Sequence, residues 1–362
     1  MNTLIVATRK ALLLYRRTDL GWTLERECFP GVPCSYAYCD PRNQTLWAAL
    51  DHGHWGQKLH RSRDRGATWE EIPAPKYPDG AQVLVEGGDN KPATLEYIWV
   101  MAPGGADEPE RLYMGTNPGG LFASDDGGDT WSLVLGLWDH ESRDKWFGGG
   151  RDTPGIHSIL VDPRDSARIQ IGISCGGVFE SRDHGATWRA QNAGVRCDFL
   201  PDPTATVGHD PHFVAASRAD PDALWQQNHC GIFRSRDGGE TWEDCAPPGS
   251  VPYFGFPVAV SDTDANIAWV VPAVSDEQRM AVGGRLRVCR TVDGGRTWRD
   301  QREGLPQARC YDLVFRHALD LAGDVLAMGS TSGNLWVSHD GGEHWQALEH
   351  HLAPIYSVRF AP

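Results

Sequence analysis

The chain has no apolar run approaching the ~20 residues of a membrane-spanning helix, so no membrane partner is expected. It has no basic excess. Its 34 Lys and Arg stand against 48 Asp and Glu, a net charge of −14, which argues against a nucleic-acid partner. Nine cysteines, an odd number without tight spacing, do not suggest a disulfide framework. No Pro/Ser linker or low-complexity tract divides the 362 residues, so one domain is expected over residues 1–362. The opening MNTLIVATRKALLLYRR is cut by Arg9 and Lys10 and lacks a small-residue cleavage site. The expectation is a cytoplasmic protein with no organic cofactor.

What the chain does have is a repeat. The segment S-x-D-x-G-x-T-W occurs at Ser62–Trp69, Ser124–Trp131, Ser181–Trp188 and Ser235–Trp242, with variants at Thr291–Trp298 and Ser338–Trp345. The closing tryptophans are 47 to 62 residues apart, the scale of one four-stranded propeller blade with variable loops. Each residue of the segment has a local task. The Asp carboxylate and Ser hydroxyl accept backbone N–H groups of their own turn. The Gly supplies a positive φ, the Thr opens a strand, and the Trp buries apolar surface between blades. A feature copied six times serves hairpins rather than one active site.

Short β-rich runs punctuated by Gly, Pro and Asp surround every copy. Around the third they read as His157–Asp162, Ala167–Ser174, Gly177–Ser181 and Thr187–Ala190, with other inner strands starting near Ser35, Leu95, His212, Gly255 and Tyr311. That makes six complete blades. The C-terminal Ile355–Phe360 resembles an inner strand without successors; Thr3–Ala7, Ala11–Tyr15 and Trp22–Glu27 resemble the three missing ones. The sequence therefore predicts an all-β, seven-bladed propeller of four-stranded antiparallel blades. Residues 1–30 and 353–362 would form one composite blade that closes the ring. The rival, an eight-bladed ring, has room for a further blade only in Ile72–Thr94.

The long segments Pro73–Ala93, Gly136–Pro154, Asn192–Asp210 and Pro272–Gly284 all fall on the face opposite the repeated turns, which marks that channel mouth as the candidate site. Glu96, His157 and His212 align at inner-strand starts and form a candidate ligand set for Zn, Mn or Fe. The other reading makes these histidines hydrogen-bonded channel residues around ordered water. His229 is the candidate fourth ligand or general base. Tyr311 and Tyr356 are candidate acids, and Asp312 is a candidate carboxylate. Arg151, in a glycine-rich segment, and His52, His54 and Glu277 are candidate substrate-binding residues, with Arg279 and Arg309 on the same face. Trp138, Trp146 and Phe147 form either an apolar wall or ordinary loop packing. Cys175 and Cys230 read as buried thiols.

The repeat resembles the BNR, or Asp-box, motif of sialidases and their relatives, and the whole chain is similar to bacterial sialidase-like "glycosyl hydrolase" BNR-repeat proteins. The resemblance implies the propeller and a carbohydrate-like or other small-molecule substrate. It does not extend to the Arg-Ile-Pro motif of sialidases, nor to an arginine triad at the inner-strand starts, so it does not imply sialidase activity. Asp-box propellers also include xyloglucan-degrading glycosidases, sorting-receptor ectodomains and photosystem assembly factors. Three functions stand as expectations: a metal-assisted hydrolase or lyase first, a metal-free glycosidase using Glu96 or Asp312 second, and a non-catalytic protein or glycan platform third.

Overall fold

The computed structural model describes residues 1–85 and 90–362. Seven four-stranded antiparallel sheets stand around a central channel. In the first blade the inner strand Ile355–Ala361 is followed outward by Thr3–Thr8, Leu12–Thr18 and Gly21–Cys28. The other six blades begin at inner strands Cys34–Cys39, Tyr97–Pro103, Gly155–Asp162, Pro211–Ala216, Gly255–Val260 and Leu319–Ala322, numbered here as blades 2 to 7. Six blades run inner to outer in chain order. Only the composite blade breaks that order, which is how the ring closes. Thr3 pairs with Ala361 and Val6 with Val358, so no open sheet edge remains at the junction.

The closing strand is held by more than its ladder. Val358, Phe360, Leu4, Val6, Leu13 and Tyr15 share one apolar cluster with Leu335 and Val337 of blade 7. Phe360 also donates its backbone N–H to the half-buried Asp320 carboxylate of blade 7 at 2.7 Å.

The repeated turns act locally, as their chemistry dictates. In the blade 4 copy, the Ser181 hydroxyl donates to Asp183 and accepts from the Gly185 backbone N–H, each at 2.8 Å. Asp183 in turn accepts the Thr187 N–H at 2.8 Å and the Thr187 hydroxyl at 2.6 Å. The tryptophans reach between blades. Trp242 of blade 5 donates to the Gln191 carbonyl of blade 4, and Trp298 of blade 6 to the Cys245 carbonyl of blade 5.

Two expectations are corrected. The inner strand of blade 7 begins at Leu319, not near Tyr311: residues 311–316 run as irregular chain toward the channel. Among its described residues the long connection after Ile72 holds no eighth blade, only a hairpin of Gln82–Leu84 and Asn90–Pro92.

Two outcomes follow from this architecture. Removing residues 354–362 should lower the unfolding temperature by roughly 10 °C or more, because the first blade loses its inner strand; an unchanged melt would refute closure by the termini. The second concerns acid. Thr hydroxyl and backbone N–H donors hold Asp64, Asp126 and Asp293 down to about 2, below the ~3.9 of an unfolded Asp. These groups contribute stability above about pH 4 that is lost as pH falls toward 2. Asp183→Ala, an exposed carboxylate in the same turn, should cost about 1 kcal/mol at neutral pH. Denaturant midpoints at pH 6 and pH 3 should show that penalty shrinking in acid.

Candidate functional site

The inner strands share an irregularity that builds the site. Each of five carries an extra residue opposite a single partner pair: Ser35 in blade 2, Trp99 in blade 3, His157 in blade 4, His212 in blade 5 and Tyr356 in blade 1. Blade 6 does the same around Phe256. Bulges of this kind re-aim side chains, and here Ser35, Trp99, His212, Phe256 and Tyr356 all line one cavity of about 640 Å³ at the channel mouth.

The channel beneath is plugged. His317, just before the inner strand of blade 7, donates through Nε2 to the His157 carbonyl oxygen at 2.8 Å, three blades away. Its ring also meets Tyr36 of blade 2 and Phe213 of blade 5 edge-on. The cavity is therefore blind at its inner end. Its walls are Tyr97, Phe147, Phe199, Phe254 and Phe315 besides the bulge aromatics. Three of the four long segments contribute, through Phe147–Arg151, Phe199 with Asp210, and Asp276 with Arg279.

The polar groups fall into two sets. One is Asp210, His212 and His229, whose nearest donor atoms lie within 4.8 Å of one another. Asp210 precedes the inner strand of blade 5, and its Oδ1 accepts the Ser174 hydroxyl and the Cys175 N–H, each at 3.1 Å. Burial opposes its ionisation, but His212, His229 and the Arg316 charge outweigh that and hold the carboxyl well below its usual range. Burial keeps His212 below its ordinary value, whereas the Asp210 contact raises His229. The second set is cationic. Arg151 lies 4.2 Å from the Tyr97 ring centre, and Arg316 sits 5.0 Å and 5.3 Å from the ring centres of Trp99 and Phe256. Arg279 lies 5.8 Å from Phe256. Among the described residues none of the three has a carboxylate within salt-bridge distance. Burial draws Arg316 down to about 10, so it stays charged at neutral pH.

Seven of the residues named from sequence meet here: Arg151, His212, His229 and Tyr356, with Arg279, Phe147 and Cys175. The rest do not. Glu96 is ion-paired with Lys91 at 2.7 Å, away from the cavity, because the residue equivalent to His157 and His212 is Trp99, three positions later. His157 is buried, with Nδ1 3.0 Å from the Ser158 hydroxyl, and its carbonyl receives the His317 plug. The expected Glu96–His157–His212 ligand set is thus not assembled. His52 is half-buried and His54 exposed beside Trp55; their neighbour Asp51 lines the cavity instead. Glu277, Asp276 and Arg279 are all exposed, and only Asp276 and Arg279 line the cavity. Tyr311 is 67% exposed and off the cavity. Asp312 is buried and occupied by Ser330, Asn334 and Cys310 within blade 7. Trp138 and Trp146 are buried packing, and only Phe147 of that trio reaches the cavity. Cys175 and Cys230 are buried, and burial raises both thiols.

Residues 233–244 match the BNR/Asp-box repeat family. The chain is 27% identical over 306 residues to an oligoxyloglucan-reducing end-specific xyloglucanase of Emericella nidulans, covering 81% of this chain and 31% of that protein. It is 24% identical to a probable enzyme of the same name from Neosartorya fischeri, covering 92% of this chain and 43% of that one. The chain thus spans less than half the length of these relatives. A crystal structure of an ancestral GH74 enzyme superposes with a TM-score of 0.62 at 14% identity, over 88% of this chain and 38% of that one, a likeness of fold.

The unpartnered Arg316 costs stability wherever nothing binds it. Arg316→Met should raise the unfolding temperature of the unliganded protein by a few degrees, on the order of 1–2 kcal/mol, while abolishing binding of any anionic ligand. A lowered melting temperature would mean that the guanidinium is a structural strut rather than a receptor.

Proposed function

We propose that this BNR/Asp-box repeat propeller is a glycoside hydrolase whose substrate occupies the blind cavity at the channel mouth. The observation that carries the proposal is the cavity itself: aromatic walls of a size suited to one or two sugar rings, with carboxylates on its rim. The xyloglucanase names of its curated relatives support the same substrate class. Neither Glu96 nor Asp312 is available for the chemistry, so the carboxylates are others.

Asp51 ends the second strand of blade 2 and Asp276 lies in the long segment of blade 6. Blades 2 and 6 are three steps apart in a ring of seven, so the two carboxylates flank the cavity from nearly opposite sides. That is the layout of a hydrolase in which one carboxyl protonates the leaving oxygen and the other activates water. Asp51 is oriented by the Gln57 amide, which donates to Oδ1 at 2.8 Å and leaves Oδ2 free. Tyr97 and Tyr356 stand near Asp51 and supply hydroxyls to a bound sugar. Asp210 is committed to Ser174, Cys175 and the two histidines and serves as the anionic floor rather than as acid or base. The three unpaired guanidiniums favour a glycan carrying a carboxylate over a neutral one.

The test is release of reducing ends from neutral xyloglucan oligosaccharides and from uronic-acid-bearing oligosaccharides. The acidic substrates should be cleaved with the higher kcat/KM. Asp51→Asn and Asp276→Asn should each reduce kcat by roughly 10²–10⁴-fold with folding intact. Absence of hydrolysis across both substrate classes, or full activity in both variants, would refute the proposal.

A further inference from the structure

We infer that Asp210, His212 and His229 bind one divalent transition-metal ion at the cavity floor, through Asp210 Oδ2, His212 Nε2 and His229 Nδ1. His212 Nδ1 lies 2.6 Å from the Gly255 carbonyl oxygen, which can only accept, so the ring proton is on Nδ1. Nε2 then carries a lone pair, and it lies 3.3 Å from Asp210 Oδ2, a carboxylate oxygen. Two acceptors at that distance in a buried place need a cation between them, either a proton or a metal ion.

A second imidazole nitrogen approaches the same oxygen. His229 Nδ1 is 3.6 Å from Asp210 Oδ2, too long for a hydrogen bond. Metal–ligand bonds of ~2.0–2.2 Å at angles near 90–110° set neighbouring ligand atoms roughly 3.0–3.6 Å apart. Both separations fall in that span. The remaining contacts also suit a metal. Asp210 Oδ1 is held by the Ser174 hydroxyl and the Cys175 N–H, which fixes the carboxylate and leaves Oδ2 free. The Gly255 carbonyl does the same for His212. Phe256 stacks on His212 at 4.6 Å between ring centres, and Phe254 meets both imidazoles edge-on, so the set is rigid and dry on one side. His229, 29% exposed, opens the other side to the cavity.

Arg316 opposes any cation at this floor. With Arg151 and Arg279 it makes the site one for a metal together with an anion: two imidazoles and a carboxylate leave coordination positions that a substrate carboxylate would fill. The metal would anchor the acidic group, leaving bond cleavage to the rim carboxylates. The inference stands apart from glycan hydrolysis, because metal content is read without substrate.

The experiment uses the full chain without a polyhistidine tag, stripped with chelator and equilibrated with Zn²⁺, Mn²⁺ or anaerobic Fe²⁺ in acetate buffer. Elemental analysis should find about one ion per chain for at least one of the three metals, falling at least ~10-fold in Asp210→Asn, His212→Gln and His229→Gln. His344→Gln, an exposed histidine in a repeated turn, should retain the ion. Melting curves establish that each variant is folded. Should the buried His212→Gln fail to fold, the partly exposed His229→Gln decides. A parent chain that takes up none of the three ions, or a folded His229→Gln that keeps the parent's content, overturns the inference.

Discussion

The cavity depends on one strand pairing, that of Ile355–Ala361 with Thr3–Thr8. A propeller cavity exists only while every blade holds its angular position, and an open ring has no fixed diameter. The pairing does two things at once. It buries Val358 and Phe360 between blades 1 and 7, and it places Tyr356 at the same bulge position that carries Trp99 and His212 elsewhere. Closure and site construction are thus one event, made from residues about 350 positions apart. Loop-closure entropy makes such a contact costly to form, and the surrounding apolar cluster is what offsets it.

The bulges explain why so varied a set of side chains meets in one place. A regular inner strand would alternate its residues between neighbouring blades. An extra residue breaks the alternation and turns one side chain toward the axis. Because the device is in the backbone, the residue placed there is free to vary: Ser, Trp, His, His, Phe and Tyr occupy it around the ring. His157 shows the limit of the position. It has the same local geometry as His212, yet the His317 plug covers it and its carbonyl is used to hold that plug. The scaffold sets where a side chain points, and the residues before blade 7 set how deep the cavity goes.

This division also decides how much was legible in the sequence. The fold was, because Ser-x-Asp-x-Gly-x-Thr-Trp is a local motif that closes its own hairpin and needs no distant partner. The missing-strand argument at the two ends was legible for the same reason. The site was legible only where an inner strand is sharply bounded. Pro211 delimits its strand, and Asp210, His212 and His229 lie at its mouth. In blade 3 the run from Tyr97 to Met101 is apolar and no such boundary precedes it, so Glu96 stood where Trp99 belongs. Arg316 and His317 were hidden for a different reason. They sit in irregular chain with no periodicity, and only the assembled ring shows that this segment runs into the channel.

The electrostatics of the cavity run against those of the whole chain, and that contrast is the strongest pointer to its ligand. A protein of net charge −14 has ample carboxylates to pair its arginines. Elsewhere it does so: within blade 4 the buried Glu180 receives Arg168, Arg182 and Arg189, and the last two also reach Glu240 of blade 5. At the channel mouth Arg151, Arg279 and Arg316 are left facing aromatic rings instead. Aromatic faces stabilise a guanidinium less than a carboxylate does, while keeping its outward N–H groups free. Asp210, the one buried carboxylate in reach, is already committed to Ser174, Cys175 and the histidines. Arg316, half-buried and not neutralised in that apolar-walled cavity, is a standing cost to the empty protein, while Arg151 and Arg279 stay exposed at its rim. An anion that enters recovers it, and does so in a low-dielectric site where each charge-assisted hydrogen bond counts for more than in water. A neutral glycan would recover only part of that cost through its hydroxyls, so the charge left unpaired by the fold selects for an acidic ligand before any shape complementarity is considered.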